Sequence, residues 1–254
     1  MEKELLVEHH DGIVVMTLNR PDARNAMTQT LAQELAAAID ELEARDDLRV
    51  GVLTGKGKAF CAGMDLKAFL RGERPSIPGR GFGGLTEKPP SKPMIAAVEG
   101  YALAGGFELV LACDLIVAST DAKFGLPEVK RGLVATAGGL LRLPLRIPPH
   151  VAMEYILTGD MMPADVAHHH GLVNRLVEPG QAVAKAIELG RAIAANGPLS
   201  LATSKRIVNS MADWSQDEMF VRQREIAEPV FQSEDAREGA TAFAEKRAPK
   251  WKGR

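Results

Sequence analysis

Apolar positions change their spacing along the chain and divide it into strands and helices. Short apolar-rich stretches flank Asp11-Gly12, a dipeptide typical of hairpin turns, and predict two paired strands at the start of the chain. From Thr28 to Arg45 the apolar residues recur at helical spacing, which predicts an amphipathic helix with Asn25 or Thr28 as its N-cap. The apolar positions of this helix are Leu31, Leu35, Ala38, Ile39 and Leu42.

Beyond this helix, short apolar segments alternate with segments of helical period. A helix led by Gly105 and Gly106, a helix from near Thr136 and an almost continuous helical tail after Val177 are predicted. The short segments, predicted as strands or short elements, are "RVGVLTG", "AFCAGMDLKAFL", "PMIAAVEG", "DLIVAS" and "AKFG". Residues 71–93 are rich in glycine and proline and predict a long loop of the kind that covers a site. The alternation predicts an α/β fold, and it leaves open a doubly wound sheet, a barrel or a spiral.

Composition narrows the classes of partner. The 254 residues have a formal net charge of -2, which gives no general attraction to nucleic acid or to an anionic membrane. No apolar run is long enough to span a bilayer, and the first residues lack the pattern of a signal peptide. Cys61 and Cys113 stand apart without a C-x-x-C pair, which argues against a disulfide framework or a zinc site and favours a reducing, cytoplasmic location.

Two conspicuous motifs are interpreted as structural. The stretch "GRGFGG", Gly79–Gly84, fits the letters G-x-G-x-x-G, but prolines flank it where the dinucleotide fingerprint needs a strand and a helix, so a flexible loop is expected. His168–His170 precede Gly171, a predicted helix C-cap. Three adjacent helical residues point in different directions, so an interaction with the helix dipole is favoured over metal binding.

Glu108 and Glu128 are the candidates for chemistry. Each lies in an apolar context shortly after glycines, where a buried carboxylate is costly unless it is paired or hydrogen-bonded. Each also has an ordinary explanation as an acid in a first helical turn, Glu108 after Gly105 and Glu128 after Pro127. The residues taken singly leave both interpretations open.

Eight further stretches occur in a recognisable order and cover nearly the whole chain. They are "LNRPDARNAM", "AFCAGMDL", "EGYALAGGFELVLACDLIVA", "AKFGLPEVKRGLV", "AGGLLRLP", "LTGD", "GLVNRLV" and "EGATAFAEKRAPKWKGR". Together they resemble the crotonase, or enoyl-CoA hydratase/isomerase, superfamily. The resemblance implies a spiral of repeated strand-strand-helix turns over residues 1–195 and a helical region over residues 196–254 that forms trimers, which commonly pair into hexamers. It also implies an acyl-CoA substrate without a metal or redox cofactor, coenzyme A entering as part of the thioester.

The resemblance assigns a role to each candidate. The N–H groups of Met64 and Gly105 match the donors that stabilise an enolate at the thioester oxygen. Glu108 matches the hydratase glutamate that holds and deprotonates water, and Glu128 matches the one that delivers a proton to Cα; in dehydration the roles reverse. Because addition of water needs both groups, the pair favours a hydratase or dehydratase. The alternatives are a double-bond isomerase that uses Glu128, and a non-catalytic relative that binds acyl-CoA or RNA.

The same resemblance predicts which residues contact coenzyme A. One group lies along the nucleotide, a second along the adenine and pantetheine path, and a third at the C-terminus, often serving a neighbouring subunit. In that order the residues are Arg24 and Ala26; Asp65, Leu66 and Lys67, which follow Met64; and Phe243 and Lys246. For Arg24 and Lys246 a solvated surface charge remains an alternative.

One segment departs from the usual hydratase pattern. The stretch "ATAGG", Ala135–Gly139, replaces the common Pro-Gly-Ala-Gly-Gly, so Thr136 adds a hydroxyl at a position whose N–H helps to place the water. With "GFEL", "LPE", "GGLLRLP" and "WKGR", the chain most resembles the carnitinyl-CoA dehydratase branch. In this superfamily a variable loop builds much of the acyl pocket, and the resemblance places that loop at residues 71–93, so it predicts the reaction class and leaves the acyl group open.

Overall fold

Strands and helices alternate through the computed structural model, which describes residues 3–254. The strands are β1 (Leu5–His10), β2 (Ile13–Leu18), β3 (Val50–Gly55), β4 (Ala59–Cys61), β5 (Ser76–Ile77), β6 (Gly81–Phe82), β7 (Met94–Val98), β8 (Tyr101–Leu103), β9 (Leu115–Ser119), β10 (Lys123–Gly125), β11 (Met162–Pro163) and β12 (Arg175–Val177). The α-helices are α1 (Gln29–Ala44), α2 (Leu66–Leu70), α3 (Gly105–Ala112), α4 (Gly139–Arg146), α5 (Pro149–Thr158), α6 (Ala164–His169), α7 (Ala182–Ala194), α8 (Pro198–Ser210), α9 (Met219–Phe231) and α10 (Glu234–Ala244). Short 3₁₀ helices cover Pro21–Ala23, Pro127–Arg131 and Met211–Asp213.

Successive strand pairs are divided between two sheets. A six-stranded sheet has the order β1-β2-β3-β7-β9-β12, and a four-stranded sheet has the order β11-β10-β8-β4. The pairs β3–β4, β7–β8 and β9–β10 each place their first strand in the larger sheet and their second in the smaller one, and strands of successive pairs run parallel. Helical segments follow each pair. The α/β prediction and the spiral of strand-strand-helix turns are therefore confirmed, and the doubly wound sheet and the barrel are excluded.

The core explains the sequence pattern of the first elements. Every residue of β3 is buried, as expected for a parallel strand covered on both faces. The predicted helix α1 buries its apolar face, and its N-cap is Thr28, whose hydroxyl accepts the Leu31 N–H at 3.0 Å. Asn25, the other candidate, is buried and uses its side-chain amide to bind the carbonyls of Lys56 and Ala59.

Part of the predicted loop over residues 71–93 is packed rather than flexible. Strands β5 and β6 pair antiparallel within it, and Phe82 is only 8% exposed. A Cβ on Gly84 would lie 2.6 Å from the Cβ of Ala36, so this segment lies directly on α1. The flexible-loop interpretation of "GRGFGG" is therefore wrong from Gly81 onward, because Phe82 anchors the segment in the core.

The helices at the C-terminus bury little within one chain. Helices α8 and α9 contain no buried residue, and the side chains of Phe220, Phe231 and Phe243 are 64%, 76% and 87% exposed. The division expected between residues 195 and 196 falls between α7 and α8 and stays a prediction. Within residues 3–254, no helix combines the length and the apolar character needed to cross a membrane.

Candidate active site

Two backbone segments meet at the N-terminus of α3. A Cβ on Gly63 would lie 3.2 Å from the Gly105 nitrogen, so the turn that follows β4 packs against the first residue of α3. Within residues 3–254, neither the Met64 N–H nor the Gly105 N–H donates a backbone hydrogen bond. Free N–H groups at a helix start are preorganised to bind developing negative charge. The structure therefore brings the two predicted oxyanion donors into one place.

Neighbouring atoms approach Gly105 and Gly106 so closely that a side chain would not fit, and the residue before them has a strained backbone. A Cβ on Gly105 would lie 2.5 Å from the ring of Phe82, and a Cβ on Gly106 would overlap the carbonyl of Cys61. Ala104 has φ 52° and ψ -130°, and its N–H donates to the Gly125 carbonyl at 2.9 Å. A non-glycine residue in such a conformation costs about 1–3 kcal/mol and tends to occur at functional sites.

Glu108 is a buried carboxylate with identified donors. It lies about one turn after Gly105, is 3% exposed, and accepts the N–H of Gly139 at 2.9 Å on Oε1. Burial raises the pKa of Glu108, whereas the N–H groups of Gly139 and Ala137 and the charge of Arg142 oppose that rise. Glu108 is thus an acid of the first turn of α3, as one interpretation expected, and its side chain is held inside the protein.

Glu128 reaches the same place from the 3₁₀ helix Pro127–Arg131. It is half-buried, and its Oε2 is buried and has no hydrogen-bond partner within the described residues. Burial, followed by the charge of Glu108, raises the pKa of Glu128 to about 7, and its own backbone N–H and the charge of Arg131 oppose the rise. A Cβ on Gly139 would lie 3.0 Å from Leu126 and 3.1 Å from Cγ of Glu108, so the segment that carries Glu128 adjoins Glu108.

The two carboxyl groups have the properties of an acid and a base. Burial raises the pKa of both groups, to about 7 at Glu128, while two N–H groups and Arg142 oppose the rise at Glu108 and its own N–H and Arg131 oppose it at Glu128. Neighbouring groups separated in this way divide general-acid and general-base work. The arrangement can remove a proton at one point and supply one at another, beside donors for an oxyanion.

The segments predicted to contact coenzyme A are joined by backbone and side-chain contacts. Met27 and Met64 form a β-bridge, and Arg20 donates to the carbonyl of Ala26 and to the Asp65 carboxylate. Asp65 also caps α2 through the N–H groups of Lys67 and Ala68, so its carboxylate has a structural use. The structure therefore brings residues 24–27 and 64–67 together.

The remaining predicted contacts lie on the surface. Arg24 is exposed and has φ 52°, while Leu66 and Lys67 are exposed on α2. Phe243 is exposed in the last turn of α10, which packs against α9, and Lys246 is exposed just after that helix ends. Their roles toward coenzyme A stay predictions.

The histidine run makes ordinary contacts. A ring nitrogen of His168 lies 2.8 Å from the Val173 carbonyl, and the rings of His169 and His170 stack edge to face. Among residues 3–254, no group of three or more His, Cys, Asp and Glu is placed to hold a metal ion. Cys61 and Cys113 are free and buried.

Three residues that shape this site were missed by the sequence reasoning. Phe82 packs beneath Gly105, Ala104 carries the strained turn, and Arg142 acts on Glu108 from α4. Arg142 had a signal in the sequence, since it is a single cation within the apolar stretch "GGLLRLP". Ala104 had none, because an alanine is ordinary beside apolar neighbours, whereas Phe82 is the single aromatic residue of the predicted loop 71–93.

Comparison with known proteins places this geometry in a family. The model of the enoyl-CoA hydratase/isomerase family matches residues 8–254, and the chain belongs to that family. It is 44% identical to a carnitinyl-CoA dehydratase of Salmonella arizonae and 41% identical to one of Proteus mirabilis, in both cases over 100% of each chain. Among solved structures, an enoyl-CoA hydratase of Mycobacterium tuberculosis is 58% identical with a TM-score of 0.98, and a carnitinyl-CoA hydratase of Mycobacterium avium is 41% identical with a TM-score of 0.80. Both comparisons cover 100% of each chain.

Proposed function

We propose that this protein catalyses the reversible addition of water to a 2-enoyl-CoA, giving a 3-hydroxyacyl-CoA. The observation that carries the proposal is the pair Glu108 and Glu128, which stand close enough for the charge of one to raise the pKa of the other. Addition of water to a conjugated thioester needs a base for the water and an acid for Cα. Family membership and the names of the relatives support the same reaction class.

The proposed reaction assigns a different starting protonation state to each of the two groups. The thioester oxygen accepts the N–H groups of Met64 and Gly105, which stabilise the enolate as it forms; one such donor is worth about 3–4 kcal/mol. Ionised Glu108 takes a proton from water as the water oxygen bonds to Cβ. Neutral Glu128 then gives its proton to Cα, and the C=C π bond is lost. With a pKa near 7, Glu128 can give up or regain this proton at neutral pH.

Coenzyme A is proposed to bind as part of the substrate, along Arg24, Ala26 and the segment Met64–Lys67. The bridge between Met27 and Met64 supports this path, because it connects the nucleotide-side segment to an oxyanion donor. A carnitine-derived acyl group is the proposed sub-case. The similarity to carnitinyl-CoA dehydratases supports this sub-case. Because the chain is also similar to enoyl-CoA hydratases, thioesters with simple acyl chains are the substrates to compare with it.

The test is hydration of crotonyl-CoA, longer 2-enoyl-CoAs and crotonobetainyl-CoA, followed by loss of the conjugated thioester absorbance. We expect Glu108→Gln and Glu128→Gln each to lower kcat by about 10²–10⁴-fold, the range of general acid–base catalysis. Glu8→Gln, at an exposed position of β1, is the matched control and should keep full activity. A wild type that hydrates none of these thioesters, or that only shifts the double bond of a 3-enoyl-CoA, contradicts the proposal.

We further propose that copies of the chain assemble as trimers, or pairs of trimers, through the C-terminal helices. The exposed phenylalanines at 220, 231 and 243 support this, since a monomer rarely leaves so much aromatic surface in water. Light scattering on the purified protein gives the molar mass, and a monomer would contradict the proposal. A cytoplasmic location is proposed from the free, buried thiols of Cys61 and Cys113.

A further inference from the structure

Arg142 packs onto the turn that supplies a donor to Glu108. It is the fourth residue of α4, and its N–H donates to the Gly138 carbonyl at 2.9 Å. Its guanidinium group folds back over Gly138, where any Cβ would overlap it. The next residue, Gly139, donates its N–H to Glu108 at 2.9 Å. Arg142 therefore covers the backbone that holds the proposed base.

The other end of the guanidinium group binds the segment beneath the oxyanion donors. Nη2 of Arg142 donates to the Thr86 carbonyl at 2.6 Å. Thr86 is 1% exposed and belongs to the same segment as Phe82, whose ring lies against Gly105. One side chain thus connects the start of α4, the segment 81–86 and the neighbourhood of Glu108.

Few charged groups face Glu108. Arg142 acts on it from α4, Glu128 faces it from the 3₁₀ helix, and the Gly139 and Ala137 N–H groups supply dipoles. The thiol of Cys113, at the end of the helix that carries Glu108, has its pKa raised by burial to about 12 and is neutral. Arg142 itself is half-buried, so its charge acts in a medium that screens it less than water does.

We propose that Arg142 is a positioning residue, which fixes the first turn of α4 so that the Gly139 N–H stays on the carboxylate of Glu108, the proposed base. The inference rests on the proposed function, because it serves the base of that reaction. It also makes Arg142 the connection through which the segment 81–86 can influence Glu108.

The chain offers a matched control in Arg146, one turn further along α4. Arg146 is also half-buried and donates to a carbonyl, that of Cys113, at 2.9 Å, but its charge is not among those that act on Glu108. Arg142→Met and Arg146→Met each remove one such cation and keep an apolar stem. Arg142→Lys keeps the charge without the forked geometry.

The primary test is an infrared titration of the Glu108 carboxylate, taken as the difference between each protein and its Glu108→Gln counterpart. In Arg142→Met the midpoint should rise by about one pH unit or more, since a lost neighbouring cation disfavours the charged form. Arg142→Lys should restore part of the shift, and Arg146→Met should match the wild type. An unchanged midpoint in Arg142→Met, or an equal rise in Arg146→Met, overturns the proposal.

Kinetics on crotonyl-CoA give a second readout. In Arg142→Met we expect kcat at pH 7 to fall roughly 10–100-fold with little change in KM, as for a misplaced base. The acidic limb of its pH profile should move upward with the infrared midpoint. A wild type that does not hydrate the thioester would contradict the proposed function, whereas the infrared titration would still decide the role of Arg142.

Discussion

The surroundings of Glu108 and of Glu128 are built differently. Glu108 lies on an eight-residue α-helix, is 3% exposed, and receives the Gly139 N–H. Glu128 lies on a five-residue 3₁₀ helix with no fully buried residue, and its Oε2 has no partner among the described residues. Glu108 is therefore more deeply buried than Glu128, and its carboxylate accepts a donor from a separate helix.

This difference shows how a fold assigns two chemical roles to one residue type. Burial raises the pKa of both carboxyl groups, and N–H donors and a cation oppose the rise at each, but only at Glu128 does a second carboxylate, that of Glu108, add to the rise. The second carboxyl therefore holds its proton up to about neutral pH, chiefly because it is buried and in addition because a carboxylate at Glu108 disfavours a second negative charge. The comparison predicts different consequences for matched changes in the two regions.

The largest contrast is expected in exchange of the Cα proton. In deuterated buffer the wild type should exchange the Cα protons of butyryl-CoA, because the enolate forms without any addition of water. Glu128→Gln should lower the exchange rate by about 10²–10⁴-fold, since the carboxyl of Glu128 carries the proton. Glu108→Gln should keep most of it. Mass spectrometry of the recovered thioester measures the exchange, and equal losses in both variants would show that the roles are not divided.

A smaller contrast is expected from the glycines that bound the two regions. Gly105→Ala places a methyl group 2.5 Å from the Phe82 ring and should cost about 1–3 kcal/mol in stability through overpacking. Displacement of its N–H should also lower kcat by about 100-fold. Gly132→Ala, at the end of the 3₁₀ helix, meets nothing within 4 Å and should cost only about 1–2 kcal/mol for its φ of 65°.

Thermal unfolding and steady-state kinetics together check this pair. Gly132→Ala should retain kcat within a few-fold, because no atom of the site has to move. Equal losses of kcat in the two variants would mean that the loss in Gly105→Ala does not come from displacement of the oxyanion donor.

The smallest effect is a pH dependence of stability. Glu128 has a pKa of about 7 in the folded state against an ordinary value of 4.5, so between these values the folded state binds the proton that the unfolded state has lost. Stability therefore falls as pH rises across this range. Glu128→Gln should remove that decline and be more stable than the wild type by about 1–2 kcal/mol at pH 8, allowing for partial exposure.

Denaturant unfolding at several pH values measures this slope. Glu108→Gln is the matched comparison and should change the slope less, because donors and Arg142 oppose the shift there. A slope in Glu128→Gln that equals the wild-type slope would contradict the assignment of a raised pKa to Glu128.

Local patterns predicted most of the elements but not their arrangement. The hairpin around Asp11-Gly12 and the helix capped by Thr28 follow from turn chemistry and helical period, which act within a few residues. The packing of Phe82 was not predictable, because it depends on α1 and on Gly105, which are distant in sequence. The choice of a spiral over a barrel depended likewise on which sheet the second strand of each pair joins.

By itself, the sequence determined the residue types of the site and the elements that carry them: the glycine-led helix with Glu108 and the proline-led turn with Glu128. Only the tertiary structure decided how the two carboxyl groups differ. The donor from Gly139, the charge of Arg142 and the unpaired Oε2 of Glu128 arise from contacts between separate elements. Desolvation and electrostatic interaction depend on distance in space rather than on distance along the chain.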